Sequence, residues 1–338
     1  MTTTRRVLVT GASGEMGHGL VPALASSGFE VVALDLAPIP PEIAAHCVAN
    51  VGGSVNDADL VSRLFADHGF EGVFHLAAIL SSKAEKDPDL AHEVNVDATV
   101  RLFRLARQTA AAKARPVRFL FPSSIAVYGL PDAAAKEAAG ALREEDWNFP
   151  AGAYGIHKLH GERLGTYLTL RSQRLGEPGL DFRAIRFPGL VSAETLPTGG
   201  TSDYAPEMIH AAAQGKPYAC FVAAGTRIPF MTMPDAIAAI LRLDAAPVSG
   251  LTTRVYNIGA FAPSALEIRN AVLSHFPKAE ITFEPVAARQ AIVDTWPADV
   301  DDRRARSDWG HAPVHGLREA VGEYLVPALQ RRYAAAGR

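Results

Sequence analysis

Val7-Leu8-Val9-Thr10-Gly11-Ala12-Ser13-Gly14-Glu15-Met16-Gly17 reads as a buried strand, a tight glycine turn and the opening of a helix. The three glycines have different physical uses. Gly11 takes a turn conformation that a side chain would strain, Gly14 lets the backbone approach a bound group, and Gly17 lets the helix pack close to the strand. A helix that starts here aims free N–H groups at an anion.

Working outward, 31–34 is a second strand ending in Asp35, 18 residues after Gly17. An acid at that separation meets the ribose of a dinucleotide whose pyrophosphate rests on the glycine turn. A carboxylate accepts from both ribose hydroxyls and repels a 2′-phosphate. Leu36-Ala37-Pro38 follows with no arginine to welcome one, so NAD is preferred over NADP.

Over the first 130 residues, short β-rich runs (7–9, 31–34, 72–75, 119–121) alternate with helical spacing, as in 17–27 and 94–111. That alternation predicts an α/β fold with a Rossmann-type, doubly wound parallel sheet covered on both faces. Residues 181–186 alternate after the breaker Gly176-Glu177-Pro178-Gly179 and add a strand. Beyond residue 190, Pro and Gly become frequent. The reading is therefore a cofactor-binding core over 1–185 and a mainly substrate-binding portion over 186–338, with a return to the core near 256–258. The Ala-rich stretch 133–141 is a surface insertion.

Composition narrows the class. The 338 residues are 48% hydrophobic and 20% charged, with 33 Lys plus Arg against 36 Asp plus Glu, a formal charge of -3. Disorder is excluded, and neither nucleic acid nor an anionic membrane is indicated as a partner. Cys47 and Cys220 form neither a disulfide framework nor a zinc site and suit a reducing compartment. No apolar run approaches the ~20 residues that span a bilayer. The expectation is a cytoplasmic protein.

The chemistry is carried by Tyr154-Gly155-Ile156-His157-Lys158. At i and i+4 the phenol and the ammonium share a helix face. A tyrosine acting as a base must lose its proton far below its ordinary pKa of ~10, which a nearby ammonium and a cationic nicotinamide both favour. Thirty residues upstream of Tyr154, Ser124 leaves a strand and offers a hydroxyl to a substrate oxygen passing between alcohol and carbonyl.

Taken together, these motifs resemble the extended short-chain dehydrogenases/reductases of the NAD-dependent epimerase/dehydratase family. The likeness includes His75-Leu76-Ala77-Ala78 and Asn95-Val96. It implies Ser124, Tyr154 and Lys158 as the catalytic set, with Tyr154 as base, Lys158 lowering its pKa and holding the nicotinamide ribose, and Ser124 orienting substrate. The implied cofactor contacts are Gly11, Ser13, Gly14, Glu15, Met16, Gly17, Asp35, Ser54, Val55, Leu76, Ala77, Ala78, Asn95, Phe187 and Pro188, besides Tyr154 and Lys158. Ser54-Val55 departs from the family, which usually has an acid before the aliphatic residue that contacts adenine.

Within that family, Arg186-Phe187-Pro188-Gly189 and Leu196-Pro197-Thr198-Gly199-Gly200-Thr201-Ser202-Asp203-Tyr204-Ala205 are similar to the short-chain-type L-threonine 3-dehydrogenases. So are Tyr218-Ala219-Cys220-Phe221 and Arg289-Gln290-Ala291-Ile292-Val293-Asp294-Thr295-Trp296-Pro297. Thr198, Ser202, Thr232 and the insertion between Ala133 and Asp146 depart from that pattern. The resemblance implies NAD-dependent oxidation of a secondary alcohol on a small hydroxy amino acid, L-threonine to 2-amino-3-oxobutyrate, by a homodimer. Ser81, Ser123, Thr201 and Ser202 are the candidate substrate contacts.

Three other readings stay open. A nucleotide-sugar epimerase or dehydratase would retain its NAD through the cycle, and net NADH production separates it. A sugar-acid (aldonate) dehydrogenase shares the hydroxy-acid chemistry. A non-catalytic NAD-sensing Rossmann scaffold would be free to lose Tyr154 or Lys158. Arg186 and Arg227 offer either a substrate-anion contact or an ion pair with an acid such as Asp235. His157 and His160 lack a third metal ligand and read as solvent-exposed, and no metal site is expected. His75 reads as packed.

Overall fold

A computed structural model describes residues 5–197 and 200–336 of the chain. Seven strands form the central sheet: β1 (Arg6–Thr10), β2 (Glu30–Asp35), β3 (Cys47–Gly52), β4 (Gly72–His75), β5 (Val117–Ser124), β6 (Leu180–Phe187) and β7 (Val255–Asn257). Every pairing is parallel, in the order β7-β6-β5-β4-β1-β2-β3. The order reverses between β1 and β4, and at that switch point the strand ends part into a crevice.

Five long helices cover the sheet: α1 (Glu15–Ser26), α2 (Ala58–His68), α3 (Ala98–Lys113), α4 (Ala153–Leu175) and α5 (Met233–Ala245). On one face Leu8, Val32, Phe103, Phe119 and Phe182 pack with Val61 and Leu64 of α2 and Leu164 of α4. On the other, Val7, Val9 and Tyr256 meet Leu20 and Leu24 of α1 and Ile237 and Ile240 of α5. Each such fully buried side chain contributes roughly 1.5–3 kcal/mol.

The strand expected over 181–186 forms as β6, and all eight of its residues are buried, because α4 lies on one side and α5 on the other. Its polar side chains are satisfied internally, as where Arg183 grips Asp181 at 2.7 Å.

The later part of the chain builds a second core around Tyr204, Phe221, Phe230, Trp296 and Leu325, joined by Ile125, Val127 and Tyr128 that follow β5. More of it returns to the sheet than 256–258. Met231, α5 and β7 all join the Rossmann packing, and Trp309 packs edge-on to Tyr256. The insertion is anchored as well. Its helix Ala133–Ala139 is mostly exposed, but Lys136 is buried and donates to the Val293 carbonyl at 2.9 Å. Residues Ala141–Leu142 then pair with Asp299–Val300.

Candidate active site

The glycine turn forms one wall of the crevice. Gly11 has φ +70°, and a Cβ there would lie 2.6 Å from the Ala77 backbone nitrogen, so the turn needs glycine. Gly17 is buried against Ala12, as its spacing predicts. Gly14 caps α1 without a side-chain hydrogen bond, which leaves first-turn N–H groups available to an anion. Asp35 ends β2 and accepts from Ser13 N and Ala37 N, both at 2.8 Å. Ser54 and Val55 follow β3, whose Gly52 is in register with Asp35. The first-turn donors, the acid and the lack of a basic side chain after Asp35 fit NAD.

Facing the turn, Leu76 and Ala78 line the cleft, but Asn95 does not. The helical pattern over 94–111 begins as a π-turn, Glu93–Asp97, before α3. That turn buries Asn95 behind the wall, where its amide clamps Ile79: Ile79 N donates to Oδ1 at 2.8 Å and Nδ2 donates to Ile79 O at 2.9 Å. Asn95 therefore holds the 76–81 segment in place instead of lining the groove. His75 is packed beside it. Thr99 gives its hydroxyl proton to Asn95 O and so accepts from His75 Nε2, which leaves Nδ1 to accept from Thr10 at 2.7 Å. Burial, with a smaller push from Lys158, lowers the His75 pKa to about 3, so the ring is neutral.

The expected catalytic set converges at the other end. Tyr154 and Lys158 lie in the first turns of α4, and Ser124 ends β5. Gly155 makes this approach possible, since a Cβ there would lie 2.0 Å from the Ala126 carbonyl oxygen. The Ser124 hydroxyl stands beside the Tyr154 phenol, near enough to lower its pKa. The Lys158 ammonium donates to the Pro122 carbonyl at 2.7 Å and lies 4.7 Å above the Phe121 ring. Burial lowers its pKa to about 8, against the pull of Glu162.

Burial also pushes the Tyr154 phenol above its ordinary range, and Ser124 works against that. Lys158 is not among the influences on that pKa. The ammonium is committed to Pro122 and stands 5.5 Å from the Tyr154 ring centre.

The cleft measures about 280 Å³. Besides the glycine turn and the catalytic set, Phe187, Pro188, Ser81, Thr201, Ser202 and Trp296 line it. The Ser81 and Thr201 hydroxyls meet at 3.0 Å. Ser123 also borders the cleft, but its hydroxyl donates to Glu162 at 2.5 Å and is not free to bind substrate. Thr198 lies outside the described residues. Trp296 had been legible only as part of a family-like stretch, with no local signal that it reaches the cleft.

The two arginines find acids other than Asp235. Arg186 forms a buried bidentate pair with Glu162 at 2.8 and 2.7 Å. Arg227 turns to Glu267 at 2.8 Å and to the Ala262 carbonyl. Asp235 accepts from His315 and Thr232, which makes Thr232 part of the α5 cap. His157 is buried, its Nδ1 3.4 Å from Asn95, whereas His160 is exposed as expected. Among the described residues no cluster could hold a metal ion.

A dinucleotide cradle leading to a Ser-Tyr-Lys set is the layout of an extended short-chain dehydrogenase/reductase. The profile of the NAD-dependent epimerase/dehydratase family matches residues 7–259, and the chain belongs to that family. It is an NAD-dependent oxidoreductase. Among its relatives is the mitochondrial L-threonine 3-dehydrogenase of Bos taurus, 32% identical over 95% of this chain and 82% of the relative. Two solved structures are close in shape. An L-threonine dehydrogenase from Cupriavidus necator in its holo form is 34% identical with a TM-score of 0.83, covering 95% of this chain and 99% of that one. A monomeric L-threonine 3-dehydrogenase from a metagenome is 34% identical with a TM-score of 0.84, covering 96% and 99%.

Proposed function

We propose that the protein oxidises the secondary alcohol of a small hydroxy amino acid, L-threonine, to 2-amino-3-oxobutyrate. The observation that carries this reading is the cleft itself, a space of about 280 Å³ lined by both the Ser124-Tyr154-Lys158 group and the Ser81–Thr201 hydroxyl pair. That space suits a nicotinamide and a small acid. Arg227, the residue a nucleotide-sugar enzyme uses on a substrate phosphate, is engaged with Glu267 and does not line the cleft. The relatives named above support the choice of threonine.

Bound NAD+ would supply the hydride acceptor for C3 and, before the transfer, a cationic ring that favours phenolate at Tyr154. Tyr154 receives the hydroxyl proton, and the developing carbonyl oxygen is held by Ser124. Lys158, fixed by Pro122, keeps a positive charge behind the phenolate. Ser81, Thr201 and Ser202 receive the amino-acid end. The assay is NADH formation from NAD+ with L-threonine, run beside four-carbon sugar acids and nucleotide sugars. L-threonine is expected to be the preferred substrate; NADH formed only with a sugar acid would replace it.

The quaternary reading is a homodimer built on α4, as the family resemblance implies. Ile156, Tyr167 and Leu170 are exposed along one side of that helix, with Phe149 exposed just before it. Ile156 and Tyr167 stand about three turns apart, which places them in one stripe. Tyr167→Arg is expected to convert the dimer to a monomer in sedimentation velocity, and a dimer unchanged by it would place the interface elsewhere. The proposed compartment is the cytoplasm: both cysteines are free, which suits reducing conditions. Among the described residues no helix is long and apolar enough to cross a membrane.

A further inference from the structure

The insertion between Ala133 and Asp146 is tied to a wall of the cleft. Asp132 caps its helix by accepting from Ala135 N at 2.8 Å, and Lys136 is the buried residue of that helix. The Lys136 ammonium donates to the Val293 carbonyl at 2.9 Å. The same carbonyl accepts the backbone N–H of Trp296 at 3.1 Å. A carbonyl oxygen has two lone pairs, so both bonds are held at once. Trp296 belongs to the second core and lines the cleft from that side.

Two further contacts bracket Trp296. Leu130, just before the insertion, donates its N–H to the Thr295 carbonyl at 2.9 Å. Within the insertion, Ala141–Leu142 pair in parallel with Asp299–Val300.

The helix Ala287–Asp294, which ends where Lys136 docks, reaches the cleft at a second point. Arg289 in its first turn donates to the Gly200 carbonyl at 2.8 Å and stacks over the Phe221 ring. Thr201 and Ser202 follow directly and line the cleft. One short helix therefore leads into Trp296 at one end and anchors the Thr201–Ser202 segment at the other.

We propose that Lys136 is a positioning residue for the substrate: through the Val293 carbonyl it fixes Trp296 and the helix before it, so the insertion sets substrate affinity without touching the reacting atoms. The residue type suits that task. The last carbonyls of a helix lack intrahelical partners and carry partial negative charge, which an ammonium matches. Burying an ammonium is costly where an apolar side chain would fill the same space, so packing alone does not account for Lys136. The effect on substrate rests on the proposed threonine reaction; the brace itself requires no substrate.

The test compares the purified full chain with Lys136→Met, which keeps the length of the side chain and removes the donor. Amide hydrogen exchange over 292–300 is expected to be about threefold or more faster in the variant, since that segment opens locally without its brace. The KM for L-threonine should rise about tenfold, the scale of a displaced binding wall, with kcat and the Kd of NAD+ unchanged. Lys136→Arg, which keeps a cationic donor, should lie closer to the native chain in both readouts. Asp132→Ala removes the cap of the insertion helix at an exposed position and should shift both in the same direction, which keeps the test decisive where the buried substitution fails to fold. Native exchange over 292–300 in the variants overturns the brace. Faster exchange with a native KM, or a fall in kcat and NAD+ affinity together with KM, would make Lys136 a structural anchor only. A native chain silent on L-threonine would overturn the proposed reaction instead; the exchange comparison would stand, and the KM comparison would pass to the alcohol that the substrate panel identifies.

Discussion

Tyr154→Phe is expected to lower kcat by about 10²–10⁴-fold, the usual contribution of a positioned acid or base, with the affinity for NAD+ unchanged. Only the hydroxyl is removed. The ring stays beside Lys158, and the cradle of Gly11, Gly14 and Asp35 lies at the other end of the crevice. Ser124 keeps the hydrogen bond it accepts from Ala126 N at 3.1 Å, so the loop after β5 should hold its shape. An interaction formed in the transition state lowers kcat and kcat/KM together. Steady-state kinetics beside a cofactor titration checks this. A variant with near-native kcat would show that another group takes the proton, and His75 could not be that group, since both ring nitrogens are occupied by threonines.

The second large effect concerns stability. Glu162 and Arg186 are 1% and 2% exposed and joined bidentately. Glu162 also accepts from Ser123, and Arg186 donates to the Glu144 carbonyl at 2.8 Å while its guanidinium stacks 4.9 Å above the Tyr128 ring. Removing one partner leaves an uncompensated buried charge, which costs about 3–5 kcal/mol. Glu162→Gln should therefore unfold at much lower urea concentration. Because the desolvation cost falls on both charges, Glu162→Leu with Arg186→Met should recover much of the loss. A single variant as stable as the native chain would show that water reaches the pair from the open groove beside Arg163 and Tyr167.

The pair also bears on catalysis. Glu162 stands one helical turn beyond Lys158, and Ser123 stands between Pro122, which holds that lysine, and Ser124. The network therefore fixes where β5 ends relative to α4.

What could be read in the sequence was what depends on fixed local spacing. The glycine turn, Asp35 and the Tyr154–Lys158 pair each express their chemistry within a few residues, and β1, β2 and β4 announce themselves as continuous apolar runs. The edge strand β3 did not. Cys47–Gly52 is only half-buried in strict alternation, so it carries no such run. Long-range partners were hidden as well. Arg186 finds Glu162 across 24 residues, and nothing local separates that acid from Asp235. Asn95 and Ser123 carried the right residue types for a binding wall, but a π-turn and a buried carboxylate turned their polar atoms inward.

In the proposed reaction hydride leaves C3 of L-threonine and departs with the cofactor. The most direct test supplies L-threonine deuterated at C3 with excess NAD+ and follows the isotope by mass spectrometry. The expected result is many turnovers per protein molecule, deuterium in the free reduced nicotinamide, and 2-amino-3-oxobutyrate or its decarboxylation product aminoacetone. Reduced cofactor without deuterium, or no reduced cofactor from a protein that binds NAD+ normally, would contradict it.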